Sequence, residues 1–352
     1  MTTPTSAPPG DKAPAAGSGG RRSRLLLGLV VTLVILLGAC ALSLAVGANA
    51  LPLGTVWQAL TAYDPADPNH LVIVEKRVPR TLIGLTAGLA LGVAGAVMQG
   101  LVRNPIAEPG LLGVNSGAAL FVVVAITLFG VHQVSGYVWF AFLGAAVTGG
   151  FVYGVASFGR DGATPVKLVL SGAAVTAAIA SVVTAMLLAD RTVLDAMRFW
   201  QVGSLAARGY PVFWETLPGI VLGLILALAV SGSLNGLALG EDVARGLGYR
   251  VGLTRGAGAL ALVLLCGSAT AATGPIAFVG LVIPHVVRRF AGQDHRWVIP
   301  YAALAGPVLL LGGDVIGRVV VRPGELQVGV VTALVGGLLF IAVVRQRRRT
   351  SR

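Results

Sequence analysis

Long uncharged runs alternate with short charged or turn-forming stretches along most of the chain. Runs 25–46 and 81–102 carry no charged residue, and runs 111–129, 134–158, 168–189 and about 217–237 continue the series. Two more follow at 298–321 and 328–344. Each is near the roughly 20 residues that a helical bilayer span needs. Backbone groups in lipid have to be satisfied within the segment, so each run is expected to be a helix. The stretch 256–287 is also uncharged but is interrupted by Thr273-Gly274-Pro275. Proline removes a backbone donor and breaks the helix. Read as one span, 256–287 puts Arg288, Arg289, Arg296 and the terminal arginines outside. Read as two spans, it puts them all inside. With two, the chain has ten spans and both termini in the cytoplasm, and 18 of the 26 Lys and Arg residues fall on the inside, as the positive-inside rule requires. The two pieces are then about 16 residues each, too short to cross a core of about 30 Å alone. Such short helices are expected to have protein or water around their ends.

Composition supports the pattern. Hydrophobic residues make up 55% and charged residues 11%, against about 25% charge in a soluble chain. The net charge of +12 does not suggest nucleic acid. There are only three lysines (Lys12, Lys76, Lys167), and the arginines stand in ones to threes between apolar runs, which is the pattern of topology-setting charge. Residues 1–20, rich in Pro, Gly, Ala, Ser and Thr, read as a disordered tail, and 346–352 as a basic tail. Ala48-Asn49-Ala50 has the small residues of a signal-peptidase site. The run before it is longer than the roughly 7–15 residues of a signal core, so it reads as a retained first span. The 49 glycines and many alanines suit closely packed membrane helices, with Gly88, Gly92 and Gly95 on one face of the second span. Cys40 and Cys266 lie inside apolar runs and read as small hydrophobes. His70, His132, His285 and His295 have no metal-ligand spacing.

Chemistry-bearing residues are few. Asp314 is the main ionisable residue within a span, and Arg318 one turn later is expected to neutralise it. So little charge at mid-depth argues against a transporter driven by an ion gradient. ATP hydrolysis within the chain is excluded too, because no lysine follows a GxxxxGK[ST] phosphate loop. An intramembrane Ser/His protease built on Ser116 and His285 fails for want of a GxSG order. The most distinctive polar segment is 234–256. Glu241 and Asp242 sit where acids favour a helix N-terminus, and Gly246 and Gly248 suit its end. A short helix on the membrane face is expected there, either as a connector or as an element that docks into a partner's groove.

Six motif segments then carry a resemblance. Arg77-Val78-Pro79-Arg80-Thr81-Leu82, Gly95-Ala96-Val97-Met98-Gln99-Gly100 and Arg103-Asn104-Pro105-Ile106-Ala107-Glu108-Pro109-Gly110-Leu111-Leu112-Gly113-Val114 lie near the N-terminus. They are followed by LALGEDVARGLG (237–248), GPIAFVGLVIPHVVRR (274–289) and PGELQVGVVTALVGG (323–337). Over about 25–345 the chain resembles the FecCD-type permeases, the membrane subunits of type II ABC importers for ferric siderophores, haem and vitamin B12. The resemblance implies an all-α, ten-span permease in the bacterial cytoplasmic membrane. Its partners would be a second permease subunit, two ABC ATPase subunits and an extracytoplasmic substrate-binding protein. No cofactor would be held by this chain; ATP and Mg would sit on the ATPase. The chain itself would be non-catalytic, moving an iron(III)–siderophore complex.

By residue, the resemblance implies that Leu239, Gly240, Glu241, Asp242, Ala244, Arg245, Leu247 and Gly248 form the coupling helix that enters a cleft of the ATPase. Arg77, Arg80 and Arg318 match arginines that pair with glutamates of the binding protein, and Arg322 joins them by proximity. The fifth span would line the path through Ser171, Thr176, Ser181 and Thr184, although those hydroxyls also suit bonds to their own helix. The gate would fall near Thr164, Pro165 and Val166, where the sequence departs from the small hydroxyl pair of vitamin B12 permeases.

Overall fold

The structure is a computed structural model that describes residues 18–47, 49–131, 133–158, 164–322 and 324–350. The parts of the two tails at 1–17 and 351–352 lie outside it. Among the described residues the chain is helical. In order the helices are α1 (Ser18–Ala45), α2 (Leu53–Thr61), α3 (Pro68–Val72), α4 (Val78–Val102), α5 (Val114–Phe129), α6 (Val134–Ser157), α7 (Pro165–Ala189), α8 (Arg191–Gln201), α9 (Tyr210–Ala238), α10 (Glu241–Gly246), α11 (Val251–Thr273), α12 (Val279–Ala291), α13 (His295–Val320) and α14 (Val328–Thr350). A π turn, Ile73–Arg77, leads into α4, and a 3₁₀ turn, Pro109–Leu112, leads toward α5. Seven of the helical stretches are long and apolar enough to cross a membrane, and Val114–Phe129 and Val328–Ile341 are shorter apolar helices. The chain is therefore a multi-pass membrane protein.

Every long apolar run became a helix, with ends set by local signals. Asp190 and Asp294 cap α8 and α13 through their carboxylates, and Thr164 caps α7 through its hydroxyl. The arms α2, α3 and α8 are short and amphipathic and stand outside the apolar runs. On α8, Val193, Met197 and Trp200 are buried at helical spacing.

Helix α4 is the centre of the bundle. It is buried along most of its length and packs against α13, α11, α9 and α12. The expected glycine face explains the closeness. A Cβ on Gly88 would come within 2.5 Å of the Pro307 Cα, one on Gly92 within 2.6 Å of the Ala302 carbonyl, and one on Gly95 would run into the Gly280 carbonyl. Backbones touch here because there is no side chain to hold them apart.

The break in the stretch 256–287 falls at Gly274 (φ 76°) and Pro275, and Phe278 is also left-handed (φ 69°). The division is unequal. Helix α11 has 23 residues and is long enough to span, whereas α12 has only 13. The expected pair of pieces of about 16 residues is thus corrected: the break falls where it was expected, but α11 starts at Val251, before the uncharged stretch, and α12 starts only at Val279, after the turn through Gly274, Pro275 and Phe278. The broken backbone is satisfied by protein. Ser204 N donates to the Thr273 carbonyl (2.8 Å), and Phe278 N donates to Glu108 Oε1 (2.8 Å). Gln99 Nε2 reaches the Gly280 and Leu281 carbonyls at 3.4 and 3.3 Å. Gly95 lies seven residues, or about 10 Å, from the end of α4, so α12 starts inside the bundle rather than at its surface.

Candidate functional site

The two ends of the bundle carry its polar chemistry. At one end, where α1 and α13 finish and α4 begins, four arginines gather. Arg80 grips Asp314 with Nε and Nη2 (3.0 and 2.8 Å) and reaches Glu325 with Nη1 (2.8 Å). Arg318 shares Asp314 Oδ2 with Arg80 Nε, at 2.8 Å. Asp314 and Arg318 are 1% and 2% exposed, so this carboxylate is held between two guanidiniums in a dry setting. The remaining arginine donors go to the frayed end of α1. Arg77 donates to the carbonyls of Leu44 and Ala45 (both 2.7 Å) and Asn49 (2.6 Å). Arg318 donates to Ser43 and Val46 (3.0 and 2.6 Å), and Arg322 to Gly47 (3.1 Å). The last carbonyls of a helix have no partner within it and carry negative partial charge, so arginines are well suited to cap them.

The expected Asp314–Arg318 pair is present, and Arg77 and Arg318, two of the arginines expected to dock a partner, sit inside the cluster. Both side chains are buried, and their donors are taken by the chain itself. Arg322 is exposed, and Arg80 is partly so. With Lys76 and Glu325, Arg77, Arg80 and Arg318 line an open cleft of about 230 Å³.

The opposite end carries α10, and its sequence explains its pose. Gly240 at φ 106° makes the turn out of α9, a conformation that side chains resist, and Gly248 (φ 84°) makes the turn into α11. Ala244 is buried and anchors the helix. Glu241 is drawn back toward the bundle by two arginines, Arg255 on α11 in direct contact and Arg103 beyond α4 at 4.0 Å, while Arg245 on α10 itself meets it at 3.5 Å. An apolar ridge is left facing out. Leu239, Val243 and Leu247, four residues apart, are between 50% and 64% exposed. Asp242 and Arg245 flank this ridge, 3.5 Å apart. The geometry is a rigidly mounted knob with a greasy edge, which can transmit force and bind a groove.

Along α7, Ser171, Ser181 and Thr184 each donate to a carbonyl of their own helix, at 2.6, 3.0 and 2.8 Å. Thr176 instead meets Ser116 on α5 (3.4 Å). Leu170, Ala177, Ser181, Thr184 and Leu188 form an exposed stripe, and Leu334, Leu338 and Ile341 form another on α14. Before α7, Thr164 accepts from Lys167 N at 3.4 Å, Pro165 opens the helix and Val166 is exposed. The rest of that loop, 159–163, lies outside the described residues.

A model of the FecCD transport family matches residues 33–346. The chain belongs to this family. Among the family's members, the ferric enterobactin transport system permease protein FepD of Escherichia coli (strain K12) is 45% identical over 322 residues, covering 92% of this chain and 95% of the relative. The hemin transport system permease protein HmuU of Yersinia pestis is 34% identical, covering 95% of this chain and 99% of the relative. Among solved structures, a metal-chelate type ABC transporter in an inward-facing conformation has a TM-score of 0.78 at 28% identity, covering 92% of this chain and 99% of that one.

Within the family motifs, three roles escaped sequence reasoning. Glu108 supplies a carboxylate to the α12 entrance, Gln99 bridges Arg288 to that same entrance, and Asn115 Oδ1 accepts from Thr270 Oγ1 at 2.9 Å. A carboxylate or amide amid glycines and prolines was the available signal; its distant partner was not.

Proposed function

We propose that this FecCD-family chain is the permease subunit of an ABC importer that carries an iron(III)–siderophore complex across the bacterial cytoplasmic membrane. One observation carries the reading. At α10 an apolar ridge (Leu239, Val243, Leu247) faces outward while Glu241 fixes the helix to α4 and α11. An ATPase that moves this knob moves the bundle. The chain works as a dimer of permeases with two ATPases, which hold the ATP and Mg. This chain performs no covalent chemistry.

The chain crosses the membrane ten times with both termini in the cytoplasm, counting α1, α4, α5, α6, α7, α9, α11, α12, α13 and α14. The arginine end then faces outward. Its cleft receives acidic side chains of the substrate-binding protein, with Arg80, Arg322 and Lys76 as the accessible cations and Arg77 and Arg318 as the clamp behind them. The exposed stripes of α7 and α14 face the second permease and line the path, and the loop at Thr164–Val166 closes its cytoplasmic mouth. The siderophore assignment leans on the relative at 45% identity; haem is the alternative, by the relative at 34%.

Uptake into proteoliposomes holding the permease, its ATPase and the binding protein tests the reading. Uptake of ferric siderophore should require ATP and be blocked by unlabelled siderophore but not by haem. Uptake that proceeds without the ATPase would refute it.

A further inference from the structure

Away from both ends of this scheme, a pocket of about 270 Å³ opens between α6, α9 and α11. Its walls are mostly apolar, with Trp139, Phe142, Leu222 and Leu264, but three polar side chains line it: Glu215, Ser268 and Thr216, whose hydroxyl is spent on the Val212 carbonyl. Glu215 Oε2 and Ser268 Oγ are both buried and have no hydrogen-bond partner among the described residues. Arg208, seven residues before Glu215, forms no ion pair with it; its guanidinium meets the Tyr137 hydroxyl at 3.4 Å. The Glu215 side chain is partly exposed, but its buried oxygen has no cation or donor, which is costly in a membrane, and such groups mark binding sites. The volume is ample for more than water, which needs only about 10–15 Å³.

Depth identifies the occupant. Glu215 lies five residues, about 7.5 Å, inside the start of α9. Trp139 and Trp214 beside it are 58% and 63% exposed, and exposed tryptophans mark the headgroup level of a bilayer. Below the pocket α9 continues with exposed Leu222 and Ile225, a surface for an acyl chain. The missing partner is a cation with N–H donors at headgroup depth, attached to hydrocarbon. We propose that the pocket binds a phospholipid with a primary-amine headgroup, its ammonium held by Glu215 and Ser268 and its upper chain laid along Leu222 and Ile225. A trimethylated amine has no N–H to give, and an anionic headgroup meets the Glu215 carboxylate, so both are disfavoured.

The full chain is reconstituted in nanodiscs of mixed phosphatidylethanolamine, phosphatidylcholine and phosphatidylglycerol, and retained lipids are read by native mass spectrometry. The wild-type chain should retain phosphatidylethanolamine about tenfold over its bulk ratio to phosphatidylcholine, equivalent to about 1.4 kcal/mol. Glu215→Gln should return the ratio to bulk. In the wild-type chain, successive N-methylation of the lipid amine should erode retention stepwise, which keeps the test independent of how the variant folds. A bulk ratio in the wild-type chain overturns the proposal, whether because water fills the pocket or because a second copy covers it. A preference that survives in Glu215→Gln also overturns it.

Discussion

The two polar ends of this bundle read alike in sequence and differ in structure. Both show charged residues flanking apolar spans, and both resemble docking surfaces. At the arginine end the charges turn inward: Asp314 is enclosed by Arg80 and Arg318, and Arg77 is spent on the carbonyls of α1. At the α10 end Glu241 turns inward to brace the helix, and the outward face carries an apolar ridge flanked by Asp242 and Arg245. One end uses charge to hold three helices together. The other uses charge to present a hydrophobic edge. Charge near a membrane surface is thus weak evidence of docking until its partners are known.

The contrast breaks first at Asp314. Asp314→Ala leaves two buried guanidiniums facing each other, and losing one partner of a buried pair costs about 3–5 kcal/mol. Thermal unfolding in detergent should fall sharply; an unchanged midpoint would mean that the arginine end is not a clamp. Val243→Asp on the ridge should do the reverse. The midpoint should hold, while ATP-driven uptake falls by roughly 30-fold or more, the effect of losing an interface hot spot of about 2 kcal/mol. Glu241→Gln is milder. ATPase binding should persist, but uptake per ATP hydrolysed should drop about fivefold as the brace to Arg255 and Arg103 weakens by about 1 kcal/mol, the net contribution of a typical hydrogen bond. The smallest effect is expected from Arg322→Ala. It should slow association of the binding protein by a few-fold at low salt and by nothing measurable at high salt, since exposed pairs steer more than they hold. A loss insensitive to salt would instead give Arg322 a buried contact.

Much of the fold was legible because each apolar run had one solution in lipid. The ends and arms were less so. The helices α2, α3 and α8 are short and amphipathic, and hydropathy over a span-length window averages them away. The break at Gly274-Pro275 was readable, but the unequal division was not, because the length of α11 depends on the burial it finds between α4, α9 and α6. At the sites, i to i+4 pairing gave Asp314 with Arg318. It could not give Arg80, which lies 234 residues away, nor the bond from Phe278 to Glu108 across 170 residues. The short helix at 241–246 was expected from its acids and glycines. Its outward ridge was hidden, because which face of a two-turn helix is anchored depends on Arg255, 14 residues on.

Backbone contact along Gly88, Gly92 and Gly95 has a mechanical consequence. Interfaces without side chains cannot slide by rotamer change, since the atoms that touch are fixed to the chain. Helices α4, α12 and α13 therefore form a stator. A transport cycle that keeps these backbone contacts has to move the three helices as one body.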